Sequence, residues 1–90
     1  MVREKGIPSG SSSEMTGSFN DLILFNDNIN SFDFVIQSLI EVCDHEHEQA
    51  EQCAWIAHLK GKCTVKSGSF EELKPKNDEL SRRGLTVDIE

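Results

Sequence analysis

Three groups of side chains in this 90-residue chain are of types that do chemistry. The densest is Cys43-Asp44-His45-Glu46-His47-Glu48, with Glu51 one helical turn beyond His47. Histidine and glutamate at i and i+4 share a helix face and can hold a metal ion between them. His45, His47 and Glu51 are therefore candidate ligands. The competing reading of the same run is a solvated, charge-rich connection between two helices. Cys53 and Cys63 form no Cys-x-x-Cys pair, so no second ligand pair has zinc-site spacing. The second group is Asn26-Asp27-Asn28, which closes an apolar run. The third is His58, in the last turn of a predicted helix. Singly, each has an ordinary structural role. Asn and Asp close strands through side-chain hydrogen bonds to backbone, and a late histidine complements the helix dipole. Brought to one pocket, an amide carbonyl and a neutral imidazole become acceptors for a charged donor.

Other chemistries are disfavoured. No nucleophile lies in a Gly-x-Ser-x-Gly elbow, and no glycine-rich phosphate loop precedes Gly61-Lys62. An enzyme is not expected, nor a cofactor. Sixteen acidic residues outweigh nine basic ones, for a formal net charge of −7, which argues against a nucleic-acid partner. No apolar run is long enough to span a bilayer, so no membrane partner is expected. The first residues lack the apolar stretch of a signal peptide. Three cysteines are an odd number for a disulfide framework and read as reduced thiols, consistent with a cytoplasmic location.

The elements that must position these residues are punctuated clearly. Met1 to Ser18 is rich in Gly and Ser, with apolar residues in no period, and reads as a disordered tail. The expected division is a tail over 1–20 and a single domain over 21–90. The tail's charges cancel, so the acidic excess sits on the domain. Asp21-Leu22-Ile23-Leu24-Phe25 reads as a buried strand. Asn30 or Ser31 caps a first helix whose apolar face is Phe32, Val35, Ile36, Leu39, Ile40 and Cys43. A second helix runs from about Glu46 to His58, with a stripe of small residues at Ala50, Cys53, Ala54 and Ala57, and Gly61 ends it. Cys63 to Lys66 reads as a strand and Ser67-Gly68 as a turn. Ser69 with Glu72 forms a capping box for a third helix, which contains Pro75 and closes at Gly84. Leu85 to Ile89 alternates as a last strand. The order is β-α-α-β-α-β, an α+β sandwich with three helices on one face of a three-stranded antiparallel sheet.

Two segments together resemble the ClpS family: Leu22-Ile-Leu-Phe-Asn-Asp-Asn-Ile-Asn-Ser-Phe-Asp-Phe-Val35, then Glu51-Gln-Cys-Ala-Trp-Ile-Ala-His-Leu-Lys-Gly-Lys62. The family pattern is an apolar strand, Asn-Asp-Asp, a Thr-Pro-Met-Glu-Phe-Val helix start, and a helix ending in His with Gly soon after. Members are bacterial adaptors of the N-end rule pathway, which hand proteins to a Clp AAA+ unfoldase, ClpA- or ClpC-like, and its peptidase. The resemblance covers residues 21–90, closest as far as Gly61, and implies the same fold in a monomer.

The resemblance implies a ligand: a protein N-terminus with a free α-amine and a bulky first side chain such as Leu, Phe, Tyr or Trp. Asn26, Asp27, Asn28 and His58 match positions that hold the amine. Leu24, Asn30, Phe32, Val35, Ala54, Ala57 and Leu85 match the pocket. Glu71 and Lys76 sit near positions that contact the unfoldase, and the N-terminal tail matches a segment that the unfoldase engages. Four departures stand out. Asn28 replaces an acid, Asn30-Ser31 replaces Thr-Pro, Phe32 replaces a gatekeeping Met, and Ala54 and Ala57 replace larger apolar residues. A compensated pocket is expected, with Phe32 filling space that the alanines vacate. The alternatives are a small metal-binding domain and a generic interaction domain with a non-functional pocket.

Overall fold

The computed structural model describes residues 19–90, so the expected tail over Met1–Ser18 lies outside the described residues. The elements are β1 (Asn20–Phe25), α1 (Phe32–Cys43), α2 (His47–Lys60), β2 (Lys62–Gly68), α3 (Phe70–Arg82) and β3 (Val87–Ile89). The strands form one antiparallel sheet in the order β2-β1-β3. This is the α+β fold and element order expected from the sequence. No helix among the described residues is long and apolar enough to cross a membrane.

The central strand is the most apolar one. Leu22 and Leu24 are 0% and 2% exposed and belong to the core that the helices cover, while Ile23 between them is also buried. A strand paired on both sides, with three successive buried apolar residues, reads as an unbroken apolar run rather than an alternation. Leu24 pairs with Cys63 on one side and with Val87 on the other. Facing it are Ile36, Leu39 and Cys43 of α1, the small stripe Ala50, Cys53, Ala54 and Ala57 of α2, and Leu73 and Leu80 of α3. The small α2 residues let that helix lie close to the sheet.

Local signals set the helix ends. Ser31 Oγ accepts from the Phe34 N–H at 3.1 Å, starting α1. Gly61, at φ 96°, ends α2 and donates to the Ala57 carbonyl at 2.9 Å; its left-handed backbone is one that L side chains rarely adopt. Ser69 Oγ accepts from Glu72 N–H at 3.1 Å while Glu72 Oε1 accepts from Ser69 N–H at 3.0 Å, a complete capping box. A Cβ at Gly68 would lie 2.6 Å from that Oε1, so a side chain there would push the Glu72 carboxylate aside. The helix continues through exposed Pro75. Arg83 then ties the end of α3 to α1, donating to Glu41 Oε1 at 2.8 Å and to the buried Ser38 Oγ at 3.4 Å.

Three expectations need correction. Ser67 and Gly68 are not a turn but the end of β2, paired with Asp21 and Asn20, and Ser67 Oγ donates to Asp21 Oδ1 at 2.6 Å. The last strand begins at Val87 rather than Leu85. The run Asp44–His47 is not wholly solvated, because His45 is only 5% exposed. The reason lies in β2. Its register against β1 slips between Leu22 and Ile23, so Val65 has no partner across the strand. Such a bulge leaves a backbone group needing a partner. His45 Nε2 lies 2.6 Å from the Val65 carbonyl oxygen, and since a carbonyl only accepts, that nitrogen carries the proton.

Candidate functional site

One backbone hydrogen bond brings the two separated polar signals together. Asn26, the first residue after β1, donates its N–H to the carbonyl of Gly61 at 3.0 Å. Gly61 caps the helix whose last turn holds His58. The end of β1 is thereby fastened beside the end of α2. Between them opens a cavity of about 260 Å³. Asn26, Asp27, Asn28, Asn30 and His58 form its polar lining, and Leu24, Phe25, Phe32, Val35, Ala54 and Ala57 its apolar walls. Leu85 does not line it. That side chain is 4% exposed and lies in the central core, where the Leu85 N–H donates to the Leu80 carbonyl at 3.0 Å and folds the chain back against α3.

Asp27 organises the loop between β1 and α1. Its Oδ1 accepts from the N–H groups of Ile29 at 3.1 Å and Asn30 at 3.0 Å. The Asn30 amide donates to Oδ1 at 3.3 Å and Oδ2 at 3.1 Å, and Thr86 Oγ1 donates to Oδ2 at 3.4 Å. Partial burial alone would raise the Asp27 pKa. The donors from Asn30, Ile29 and Thr86 outweigh it and hold the carboxyl below its usual value. Asn30 Nδ2 also reaches the Gly84 carbonyl at 2.9 Å, strapping this loop to the α3–β3 connection.

His58 is exposed at the rim, its ring edge-on to Phe32 with centroids 6.3 Å apart and planes at 87°. Trp55 completes a three-ring group, 4.7 Å from Phe32 and 6.1 Å from His58. Sequence reading missed Trp55 and Phe25. Trp55 was detectable, since it precedes His58 by three residues and so lies next to it on the helix surface. Phe25 was read only as the end of the strand.

The other candidates are dispersed. His45 is turned inward onto Val65, whereas His47 and Glu51 are exposed on α2. Among the described residues no group of three His, Cys, Asp or Glu side chains is placed to hold a metal ion. Cys43 and Cys53 are buried and Cys63 is half-buried, and all three are free thiols. Burial, with Cys63 beside it, pushes the Cys53 thiol up to about 12. Glu71 is exposed near the start of α3, and the Lys76 amine donates to the Val42 carbonyl at 3.2 Å.

Chemically, the cavity offers an amide and an imidazole at the rim of an apolar hollow. Its lining carries no hydroxyl, thiol or amine nucleophile. Such a site grips a ligand that is polar at one end and apolar at the other.

Comparison with known proteins gives a consistent result. A family model for the ATP-dependent Clp protease adaptor protein ClpS matches residues 18–88. The fold resembles the structure of Agrobacterium tumefaciens ClpS2 bound to L-phenylalaninamide, with a TM-score of 0.72 over 83% of this chain and 98% of that one, at 20% identity. No curated protein matches the chain. With a family model matched from the start of β1 to within β3, the chain belongs to the ClpS family of adaptors for the ATP-dependent Clp protease.

Proposed function

We propose that the cavity receives the first residue of a polypeptide marked for degradation, and that the chain delivers that polypeptide to a Clp AAA+ unfoldase. The observation that carries this reading is the placement of Asn26 and His58 on the rim of one apolar hollow. A protonated α-amine is a cluster of donors with a charge. The Asn26 side-chain carbonyl and one His58 ring nitrogen accept from it, and Asp27 supplies negative charge nearby. Hydrogen bonds to a charged group contribute about 1.5–3 kcal/mol each. A bulky first side chain leaving water for the pocket adds about 1.5–3 kcal/mol. An acetylated terminus loses the charge and most of the donors. The structural relative is bound to L-phenylalaninamide, a phenylalanine with a free amine, which is the ligand chemistry this pocket suits.

The departures from the family pattern shape the pocket. Phe32 and the two alanines line the same cavity, so bulk is shifted from α2 to the start of α1. Asn28 lies on the rim without the charge of the family's acid, and the amine then depends on Asp27 alone for a nearby anion. The adaptor acts in the cytoplasm as a monomer without a cofactor. Exposed Glu71 on α3 belongs to the surface that meets the ClpA- or ClpC-like unfoldase, with Lys76 at its buried margin.

Fluorescence titration with peptides identical except at residue one tests the reading. Leu- and Phe-starting peptides are expected to bind, and acetyl-Phe to bind at least tenfold more weakly. Asn26→Ala and His58→Ala are each expected to weaken the free-amine peptides by about 10- to 100-fold. Equal affinity for Phe and acetyl-Phe peptides would falsify it.

A further inference from the structure

Two of the three free thiols converge where α2 crosses β2. Cys63 pairs with Leu24 across the sheet, so both side chains lie on the face that packs into the core. Cys53, 8% exposed, points into the same core from α2. Both thiols donate to one acceptor, the Thr64 carbonyl oxygen, Cys53 Sγ at 3.8 Å and Cys63 Sγ at 3.5 Å. Burial raises the Cys53 thiol, and the adjoining Cys63 side chain raises it further. We propose that Cys53 and Cys63 are a site of reversible oxidation, at which a peroxide closes an intramolecular disulfide between α2 and β2. The chemistry of the pair is independent of what the cavity holds.

The two thiols differ in access, which orders the steps. Half-buried Cys63 meets the oxidant first, and Cys53 lies behind it. As its thiolate, Cys63 attacks one oxygen of hydrogen peroxide. The O–O bond breaks, the other oxygen leaves and takes up a proton to become water, and Cys63 becomes a sulfenic acid. The Cys53 sulfur then attacks the Cys63 sulfur. The S–S bond forms, the S–O bond breaks, and the hydroxyl leaves as water with the Cys53 proton. Two thiols are oxidised by two electrons in all, and one peroxide is reduced to two waters. With its thiol pushed up to about 12, Cys53 keeps that proton until the leaving hydroxyl takes it. Thiols that already share an acceptor need little backbone movement to reach disulfide geometry. Disulfides of cytosolic proteins are mostly transient and redox-sensing, and a dithiol reductant returns both thiols by exchange. The bond closes the segment from Cys53 to Cys63, which carries His58 and Gly61, and so ties the end of α2 to the sheet.

The test treats the full chain with a small excess of hydrogen peroxide, quenches with catalase, and alkylates with N-ethylmaleimide in denaturant before mass analysis. The expected product is a monomer lighter by two hydrogens, with a single alkylated thiol at Cys43. Lys60 and Lys62 lie between the paired cysteines, so trypsin is expected to leave two peptides joined through Cys53 and Cys63. Dithiothreitol is expected to restore all three thiols. The oxidised chain is expected to melt about 5 °C or more above the reduced one, because the bond restricts the unfolded chain. Cys63→Ser, at the half-buried position, is expected to abolish the linkage. Cys53→Ser is expected to leave a sulfenic acid at Cys63 that dimedone traps. The linked wild-type peptides carry the result should a variant fold poorly. Three alkylated thiols after peroxide, a linkage through Cys43, or a disulfide-joined dimer through Cys63 would each overturn the assignment.

Discussion

His45 and Val65 are joined by a 2.6 Å hydrogen bond between Nε2 and the carbonyl oxygen, inside the core and at the bulge of an edge strand. The residue that looks like a metal ligand in the sequence is the donor that satisfies an irregular strand. Replacing it with leucine keeps apolar bulk but leaves the Val65 carbonyl without that donor. His45→Leu is expected to destabilise the fold by about 1–3 kcal/mol, read as a lower urea midpoint at unchanged slope. An unchanged midpoint would show that the bulge does not depend on this contact.

Acid should loosen the loop that shapes the site. The Asp27 carboxyl sits below its usual value in the folded chain because the donors of Asn30, Ile29 and Thr86 outweigh partial burial. A folded pKa lower than the unfolded one adds stability above the unfolded value. That stability is lost as pH falls through the folded one. Glu41, held down by Gln37 and Arg83, and Asp78, held down by Lys74, act in the same direction. Stability is therefore expected to fall below about pH 4. Asp27→Asn is expected to cost about 1–2 kcal/mol at neutral pH and much less near pH 2. Chemical denaturation at the two pH values checks it, and an equal cost at both would contradict it.

Filling the hollow should separate pocket from fold. Ala54 lines the cavity with its side chain and is 4% exposed. Ala54→Leu extends into existing space, so stability is expected to change by less than about 1.5 kcal/mol. Binding of a Phe-starting peptide is expected to weaken more than tenfold, and that of a Leu-starting peptide by less. Thermal melts and titrations on the same variant decide it. A variant that melts normally and binds Phe as before would place the first side chain elsewhere.

The thiols should differ in reactivity. Burial pushes the Cys53 thiol up to about 12, with Cys63 adding to the shift, and burial also raises that of Cys43. The thiolate is the reacting form. Iodoacetamide at pH 8 is expected to modify half-buried Cys63 first in the native chain and the other two only on unfolding. Mass mapping of the modified peptides gives the order. Early modification of Cys53 would mean that α2 opens readily.

Much of the scaffold was legible because its signals are local. Ser31, Gly61 and the Ser69–Glu72 box mark helix ends through bonds spanning three or four residues. The apolar spacing on α1 and the small stripe on α2 named the buried faces correctly. Errors arose where a distant partner decided the outcome. Ser67 and Gly68 are strand because Asp21 and Asn20 lie opposite them. Leu85 leaves the pocket for the core because its N–H folds back onto Leu80.

From the order of its residues alone, this chain was committed to three helices, three strands and a particular apolar face on each. Hydrogen bonds within a turn and the period of burial need only near neighbours. Tertiary structure decided the rest. The Asn26–Gly61 bond set the strand end against the helix end, the Val65 bulge drew His45 inward, and Trp55 came to rest against both Phe32 and His58. Those outcomes depend on sheet register and helix docking, which no short stretch of sequence contains.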